Sequence, residues 1–303
     1  MKIAICGGTG FLGFNLAVYL KQKGFNIDIL STRANKYQKN QKYNQFNIIE
    51  HFDSNEHYDV IINLAGKSIF NLWTAKNKRL FLSSRTHWLN KIQSFNQANN
   101  KKIDLIINGS AIGIYANTIN KTDEFSEIKE QNFFSQFLCN QIENVANNLQ
   151  NKNISNQVIN VRTGVVFAKN GGFLSRLLPS FKLGLGSAIG TGNQNTSWID
   201  IDDFCKAILF IIQNKTNFSS IDVVNLTSPT PSTNLQISKE IAKVLNRPCI
   251  FKIPSFLVKL LFGKMGVELM LSSQKIYPSK LLNNGFQFSY KTSLESISSK
   301  VNR

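Results

Sequence analysis

The sequence predicts an α/β fold with a doubly wound parallel sheet, and three observations predict it. Short apolar runs alternate with longer helical patterns, as in a sheet with helices on both faces. The first apolar run, Ile3 to Cys6, stops at a glycine triplet that opens a helical pattern. Beyond Arg162-Thr-Gly164 the chain becomes loop-rich and glycine-punctuated, which marks a second, smaller unit.

Strands are expected at 2–6, 26–31, 46–50, 58–64, 103–109, 157–163 and 221–226. These are apolar runs too short for helices and bounded by polar or glycine residues. Helices are expected at 11–23, 74–98 and 130–150. Crossover connections of one hand then bring every strand C-terminus to one edge of the sheet, where such folds bind ligands. Glycines at 171, 172, 184, 186, 190 and 192 lead to Trp198-Ile-Asp-Ile-Asp-Asp203, and Pro229 and Pro231 open a last helical region, 234–245 and 254–272. The expected organisation is a Rossmann-type nucleotide domain, 1–165 plus 200–226, and a substrate or cap region, 166–199 plus 227–303. A cleft between the two would hold a small-molecule substrate.

At 303 residues the chain can bury a sizeable core. A net charge of +17 raises nucleic acid or an anionic membrane surface as partners. The basic residues are scattered, however, with no Lys/Arg stripe interleaved with aromatics, so nucleic acid is not expected. The chain is rich in Asn, Ile, Phe and Lys, residues with AT-rich codons, and base composition is then a sufficient source of the charge. Cys6, Cys139, Cys205 and Cys249 lie far apart and without nearby His, so neither a metal site nor a disulfide framework is expected. That usage fits a reducing, cytoplasmic setting. The apolar stretches at 207–212 and 256–262 are too short to span a membrane, and the second, with Lys259, reads as an amphipathic helix. Monomer and homodimer both remain open.

The glycine triplet has the spacing G-x-x-G-x-x-G, Gly7-Gly8-Thr9-Gly10-Phe11-Leu12-Gly13. Gly7 permits the turn out of the strand, Gly10 admits a pyrophosphate to the backbone, and Gly13 lets the helix pack closely. The free N–H groups at the start of the helix favour the anion. At the end of the second strand the chain reads Ser31-Thr32-Arg33, with hydroxyls and a guanidinium in place of a terminal carboxylate. A guanidinium suits a 2′-phosphate, so NADP(H) is expected rather than NAD(H). Asn63-Leu64-Ala65-Gly66 ends the fourth strand at the same edge, beside the cofactor riboses. Ser110, in Asn108-Gly-Ser-Ala111, is expected to face the nicotinamide, and Arg162-Thr163-Gly164 to approach it from the other side. Arg85, on the helix after the fourth strand, is expected in the cleft against an anionic group. His51, His57 and His87 stand isolated and are read as non-functional.

The motif order resembles the extended short-chain dehydrogenase/reductase superfamily. Within it, the chain is similar to the epimerase-family proteins labelled SDR39U1-like, or cell-division inhibitors in older naming. The resemblance is carried by Gly7 to Gly13, Asn63 to Gly66, Gly109 to Tyr115, Arg162 to Val166, Gly171-Gly172, Leu178 to Gly186 and Trp198 to Asp203. Trp73-Thr74, Ser84-Arg85 and Arg247 to Pro254 extend it over nearly the whole chain. It implies an extended Rossmann fold and a nicotinamide cofactor, and it implies that Trp198 and Asp200 close the substrate pocket. Asp202 and Asp203 are read as capping the next helix.

The superfamily pair Tyr-x-x-x-Lys is missing between residues 110 and 160. Alignment on Glu143 places Ser135 and Cys139 at the two positions, and neither can supply a phenolic proton or a fixed positive charge. The proton must then come from elsewhere: Tyr115, close behind Ser110, is one candidate, and solvent is another. Three functions compete. The first is an NADP-dependent oxidoreductase or epimerase acting on a small carbonyl or hydroxyl substrate. The second is an NADP(H)-binding sensor or scaffold without turnover. The third, a basic nucleic-acid or membrane-surface binder, rests on charge alone.

Overall fold

The computed structural model describes residues 1–99 and 102–301. Seven strands form one parallel sheet: β1 (Lys2–Cys6), β2 (Asn26–Leu30), β3 (Asn47–Ile49), β4 (Val60–Asn63), β5 (Ile103–Ala111), β6 (Ser155–Thr163) and β7 (Ile221–Leu226). Their order is β7-β6-β5-β4-β1-β2-β3, with every neighbour parallel. The order reverses between β1 and β4, which is the switch point at which such sheets bind ligands.

The strands are rich in buried apolar residues because both faces are covered, and their buried polar side chains, such as Asn63, Asn108 and Asn160, are hydrogen-bonded to one another. Side-chain alternation splits them cleanly. Ile3, Ile5, Ile29, Ile62 and Ile107 face a core shared with α1 (Phe11–Gln22), through Leu16 and Leu20. Ala4, Cys6, Ile61 and Ile106 face the opposite core, shared with α2 (Ala75–Asn99) and α3 (Phe134–Asn151), through Trp88, Leu89, Ile92 and Leu149. Helix α4 (Ile201–Gln213) joins the first core with Phe204, Ile208 and Ile211.

A third apolar cluster unites Phe167, Leu174, Phe181, Trp198, Ile237, Ile241 and Ile297. Its members lie in the two segments expected to form the cap. They come from a small sheet (Val165–Ala168, Gly171–Gly172 and Trp198–Asp200), the helix Leu174–Lys182, α5 (Asn234–Leu245) and the C-terminal helix Ser293–Val301. Leu281, Phe286 and Phe288 instead pack into the first core, so the C-terminal segment returns to the sheet. The segment expected as one helix over 254–272 is α6 (Ser255–Gly266), interrupted at Gly263, followed by a π-helical turn Val267–Leu271. Among the described residues, no helix is long and apolar enough to cross a membrane.

Candidate functional site

The glycine loop is fixed by backbone contacts to its neighbours. Gly7 sits at φ +79°, donates its N–H to Leu30 O at 3.0 Å, and lies so close to β4 that a Cβ would stand 2.6 Å from Ala65 Cα. A Cβ on Gly13 would stand 2.4 Å from Gly7 O, so the first turn of α1 presses on the loop. Gly10 is the N-cap of α1 and supplies no side-chain bond, and the first turn holds no acidic residue. The leading N–H groups and the positive helix end therefore remain available to an anion.

Thr9, at the tip of the loop, is held from two sides. Its Oγ1 lies 3.4 Å from Ser31 Oγ, and its carbonyl accepts from the Tyr43 hydroxyl at 3.1 Å. Ser31 Oγ also accepts the Arg33 backbone N–H at 3.2 Å. Thr32 and Arg33 are exposed beside the loop. Phe11 and Leu12, in the first turn of α1, are half-buried. The Phe11 ring packs against Gly171 and Gly172: a Cβ on Gly171 would stand 2.3 Å from it, and Gly172 turns at φ +66°. The glycine pair thus brings the segment after Ala168 against the glycine loop at Phe11.

Asn63 ends β4 inside a ladder of amides. Its Nδ2 donates to Asn108 Oδ1 at 3.1 Å; Asn108 donates to Asn160 at 2.8 Å, and Asn160 to Asn147 of α3 at 2.7 Å. The strand positions are in register across β4, β5 and β6. Each amide has one oxygen and one NH₂, so a row of them satisfies itself in a buried sheet. Asn63 also donates to Arg85 O at 3.1 Å, which ties β4 to α2. Leu64 continues the strand, its N–H on Cys6 O at 2.9 Å. Gly66 lies under Arg85, whose Nη1 donates to the carbonyls of Lys67 at 3.0 Å and Phe81 at 2.9 Å. Burial lowers the Arg85 pKa from its ordinary value, and among the described residues no carboxylate pairs with it.

Ser110 and Arg162 are register neighbours on β5 and β6, and both meet Glu143 of α3. Ser110 Oγ donates to Glu143 Oε1 at 2.7 Å. Arg162 grips the same carboxylate with two bonds, Nε to Oε1 at 3.0 Å and Nη2 to Oε2 at 2.8 Å. Burial opposes the charge on Arg162, yet the bonds to Glu143 hold its pKa above the ordinary value. Thr163 and Gly164 end β6 at the same edge, Gly164 donating to Leu226 O at 3.0 Å.

Four expectations are corrected. Tyr115 does not present a free phenol: it is 5% exposed, its hydroxyl accepts from Arg162 Nη1 at 3.0 Å and donates to Asn225 Oδ1 at 2.9 Å. Burial raises its pKa despite Arg162. Trp198 does not line a cleft: it is 0% exposed, stacked on Phe167 at 5.0 Å, with Nε1 on Thr230 O at 3.0 Å. Asp200 is itself the N-cap of α4, accepting from Asp202 N at 2.8 Å, and it also binds Ser296 and Lys300. The cap is thus Asp200; Asp202 pairs with Lys300, and Asp203 accepts the N–H groups of Ser289 and Tyr290.

At the two positions of the missing pair, Ser135 donates to Glu268 Oε2 at 2.8 Å, and Glu268 also accepts the backbone N–H groups of Phe134 and Ser135. A carboxylate from the C-terminal segment therefore caps α3. The Cys139 thiol donates to Ala111 O at 3.5 Å, and burial, aided by Glu143, pushes its pKa up to about 11. Among the described residues no cluster of potential metal ligands occurs.

Glu143, Glu268 and Tyr43 were not among the expected site residues. Glu143 had a legible signal, because it lies on the apolar stripe of α3 with Leu138, Cys139, Ile142 and Ala146, where a carboxylate requires a partner. Glu268 and Tyr43 had none, since both act across distant parts of the chain.

A glycine loop at the switch point of a doubly wound sheet, with a second small core beside it, defines the extended Rossmann class. The chain belongs to the NAD dependent epimerase/dehydratase family, which it matches over residues 3–227, and residues 253–296 match a domain of unknown function, DUF1731. It is 35% identical over 294 residues to the epimerase family protein YfhF of Bacillus subtilis, covering 96% of this chain and 94% of that protein. It is 30% identical over 306 residues to the epimerase family protein ML0860 of Mycobacterium leprae, covering 99% and 96%. The fold is similar to that of human epimerase family protein SDR39U1 (isoform 2), solved with NADPH: TM-score 0.82, 23% identity, 100% of both chains. It is also similar to the UDP-glucose 4-epimerase of Thermus thermophilus, solved with NAD: TM-score 0.75, 13% identity, 100% and 98%.

Proposed function

We propose that the protein is an NADP-dependent epimerase or oxidoreductase acting on a small carbonyl or hydroxyl substrate, with Ser110 as the group that meets the substrate oxygen. The observation that carries this reading is the Ser110–Glu143–Arg162 arrangement at the ligand-binding edge of the sheet. The residues present fit the cofactor: an uncapped helix start, a loop with no room for side chains at Gly7 and Gly13, and the exposed Arg33 for a 2′-phosphate. Gly7 to Gly13 would hold the pyrophosphate, Thr32 and Arg33 the adenosine side, and Asn63 to Gly66 with Thr163 and Gly164 the riboses and ring. When bound, the nicotinamide supplies hydride exchange.

The Ser110 hydroxyl donates a hydrogen bond to Glu143, which Arg162 fixes in place. A substrate hydroxyl at Ser110 could pass its proton through the serine to Glu143, and a carbonyl could receive it by the same path. Tyr115 is a positioning residue, holding Arg162 through its hydroxyl. Arg85, with no carboxylate partner among the described residues, supports an anionic group on the substrate.

The sensor reading is favoured by one observation: Glu268 and Ser135 close the helix end where a catalytic tyrosine would stand. Calorimetric titration with NADPH, NADP, NADH and NAD comes first. Turnover of carbonyl and sugar-nucleotide panels with NADPH, lost in Ser110→Ala while NADPH binding persists, supports the enzyme. Tight NADPH binding with no turnover across both panels supports the sensor instead.

A further inference from the structure

The most unusual surface of the molecule lies far from the glycine loop in sequence, at the start of the C-terminal segment. Ile250, Phe251, Phe256, Leu260 and Leu261 are 52–77% exposed. Helix α6 buries Val258 and Met265 inward, yet its outer side carries Phe256, Leu260 and Leu261 beside Lys259, so large apolar side chains face water. The patch continues onto a neighbouring turn. The strand Phe251–Ile253 pairs with Ser187–Ile189, and Arg247 Nε reaches Lys182 O at 3.0 Å, next to Leu183 and Leu185, which are 76% and 59% exposed. Scattered exposed apolar residues need no explanation, but a contiguous group of this kind marks an interaction surface.

Charge identifies the partner. Between Glu240 and Glu268 the chain contains no Asp or Glu, while Lys243, Arg247, Lys252, Lys259 and Lys264 are all exposed. Lys259 lies one helical turn from Phe256 on the same side of α6, while Lys252 precedes the helix and Lys264 follows its break at Gly263, so exposed cations flank the apolar side chains at both ends. A protein interface core is depleted of lysine. A bilayer surface combines the two demands, since its acyl boundary takes the apolar side chains while anionic headgroups take the lysines.

We propose that the face formed by the strand Phe251–Ile253 and helix α6 docks on an anionic phospholipid surface, with α6 lying in the headgroup plane and not crossing it. Phe256, Leu260 and Leu261 enter the acyl boundary, and Lys252, Lys259 and Lys264 pair with lipid phosphates. This is independent of the reading of the Ser110 site, because neither set of residues belongs to it.

The test is co-sedimentation of the full chain with vesicles of phosphatidylcholine alone and of an equal mixture with phosphatidylglycerol. Binding to the mixed vesicles only, weakening as salt rises, is expected. Lys252→Gln/Lys259→Gln/Lys264→Gln should weaken it by about a hundredfold, at roughly fivefold for each lysine. Phe256→Ser/Leu260→Ser/Leu261→Ser should abolish it, with the far-ultraviolet circular dichroism of both variants unchanged. No binding of the wild-type chain to mixed vesicles overturns the proposal. So does light scattering that finds a wild-type dimer split by the serine variant, since a second copy then covers the face.

Discussion

Arg162 and Glu143 meet in a two-pronged ion pair with both side chains less than a tenth exposed, and Ser110 shares one of the two carboxylate oxygens. Burying two charges costs free energy that only good geometry returns, and removing one partner leaves the other stranded. Glu143→Gln is therefore expected to destabilise the chain by about 3–5 kcal/mol. Ser110→Ala, which removes a single hydrogen bond to the same carboxylate, should cost about 1 kcal/mol. Urea unfolding of the two variants separates them; equal losses would show that the ion pair is not the stronger element.

Arg33 is expected to select the phosphorylated dinucleotide. Arg33→Ala should weaken NADPH binding by about tenfold or more, the scale of one charge-assisted hydrogen bond, and leave NADH nearly unchanged. Calorimetry with both nucleotides reads the ratio. An unchanged ratio would remove Arg33 from the site.

The loop tolerates no added carbon at Gly13 or Gly171. Gly13→Ala places a methyl against the carbonyl of Gly7, a backbone atom that cannot swing aside, and overpacking of this kind costs about 1–3 kcal/mol. Gly171→Ala meets the Phe11 ring at a φ of +151° and should be at least as damaging. Thermal unfolding reads the loss. The double variant Gly171→Ala/Phe11→Ala should recover part of it, because the ring is the obstacle.

Alkali should unfold the protein through its phenols. Burial holds Tyr43, Tyr58 and Tyr115 above the ordinary phenol value of 10.0. Above that pH the unfolded chain loses these protons while the folded chain keeps them, so stability is full below about pH 10 and falls as pH rises. Ultraviolet titration of phenolate, read beside circular dichroism, should show these tyrosines ionising together with unfolding. Ionisation of all seven tyrosines in a folded chain would contradict it.

Thiol alkylation should distinguish Cys249 from the rest. Cys6, Cys139 and Cys205 are buried, and a thiol pKa of about 11 leaves Cys139 almost without thiolate at neutral pH. Mass spectrometry after iodoacetamide treatment of the native chain should find modification at Cys249 alone.

The strands and the glycine loop were legible because their signals are local: a run of branched apolar residues ends at a glycine, and a helix begins. All seven sheet strands fall within a few residues of the spans read from the sequence. Trp198 and Asp200 show the limit of motif reading. Their segment occurs where a pocket-closing segment was expected, yet one side chain stacks on Phe167 and the other caps α4. A motif fixes a place along the chain, while tertiary packing decides which way each side chain turns. Glu268 was out of reach for a different reason, since its partners Phe134 and Ser135 lie 134 and 133 residues away. No periodicity within one element reports a bond of that span.

The amide ladder has a consequence for the chemical ageing of the chain. Three Asn-Gly pairs occur, at Asn108, Asn170 and Asn284, and each is intrinsically prone to deamidation through a cyclic imide. That ring closes only if the glycine nitrogen can swing onto the asparagine side-chain carbonyl. At Asn108 the carbonyl is held by Asn63, the amide nitrogen by Asn160, and the peptide is extended within β5. Asn170 lies exposed in a turn, outside any strand. Asn108 is thus durable for as long as the sheet is folded, and isoaspartate appearing there would record time spent unfolded.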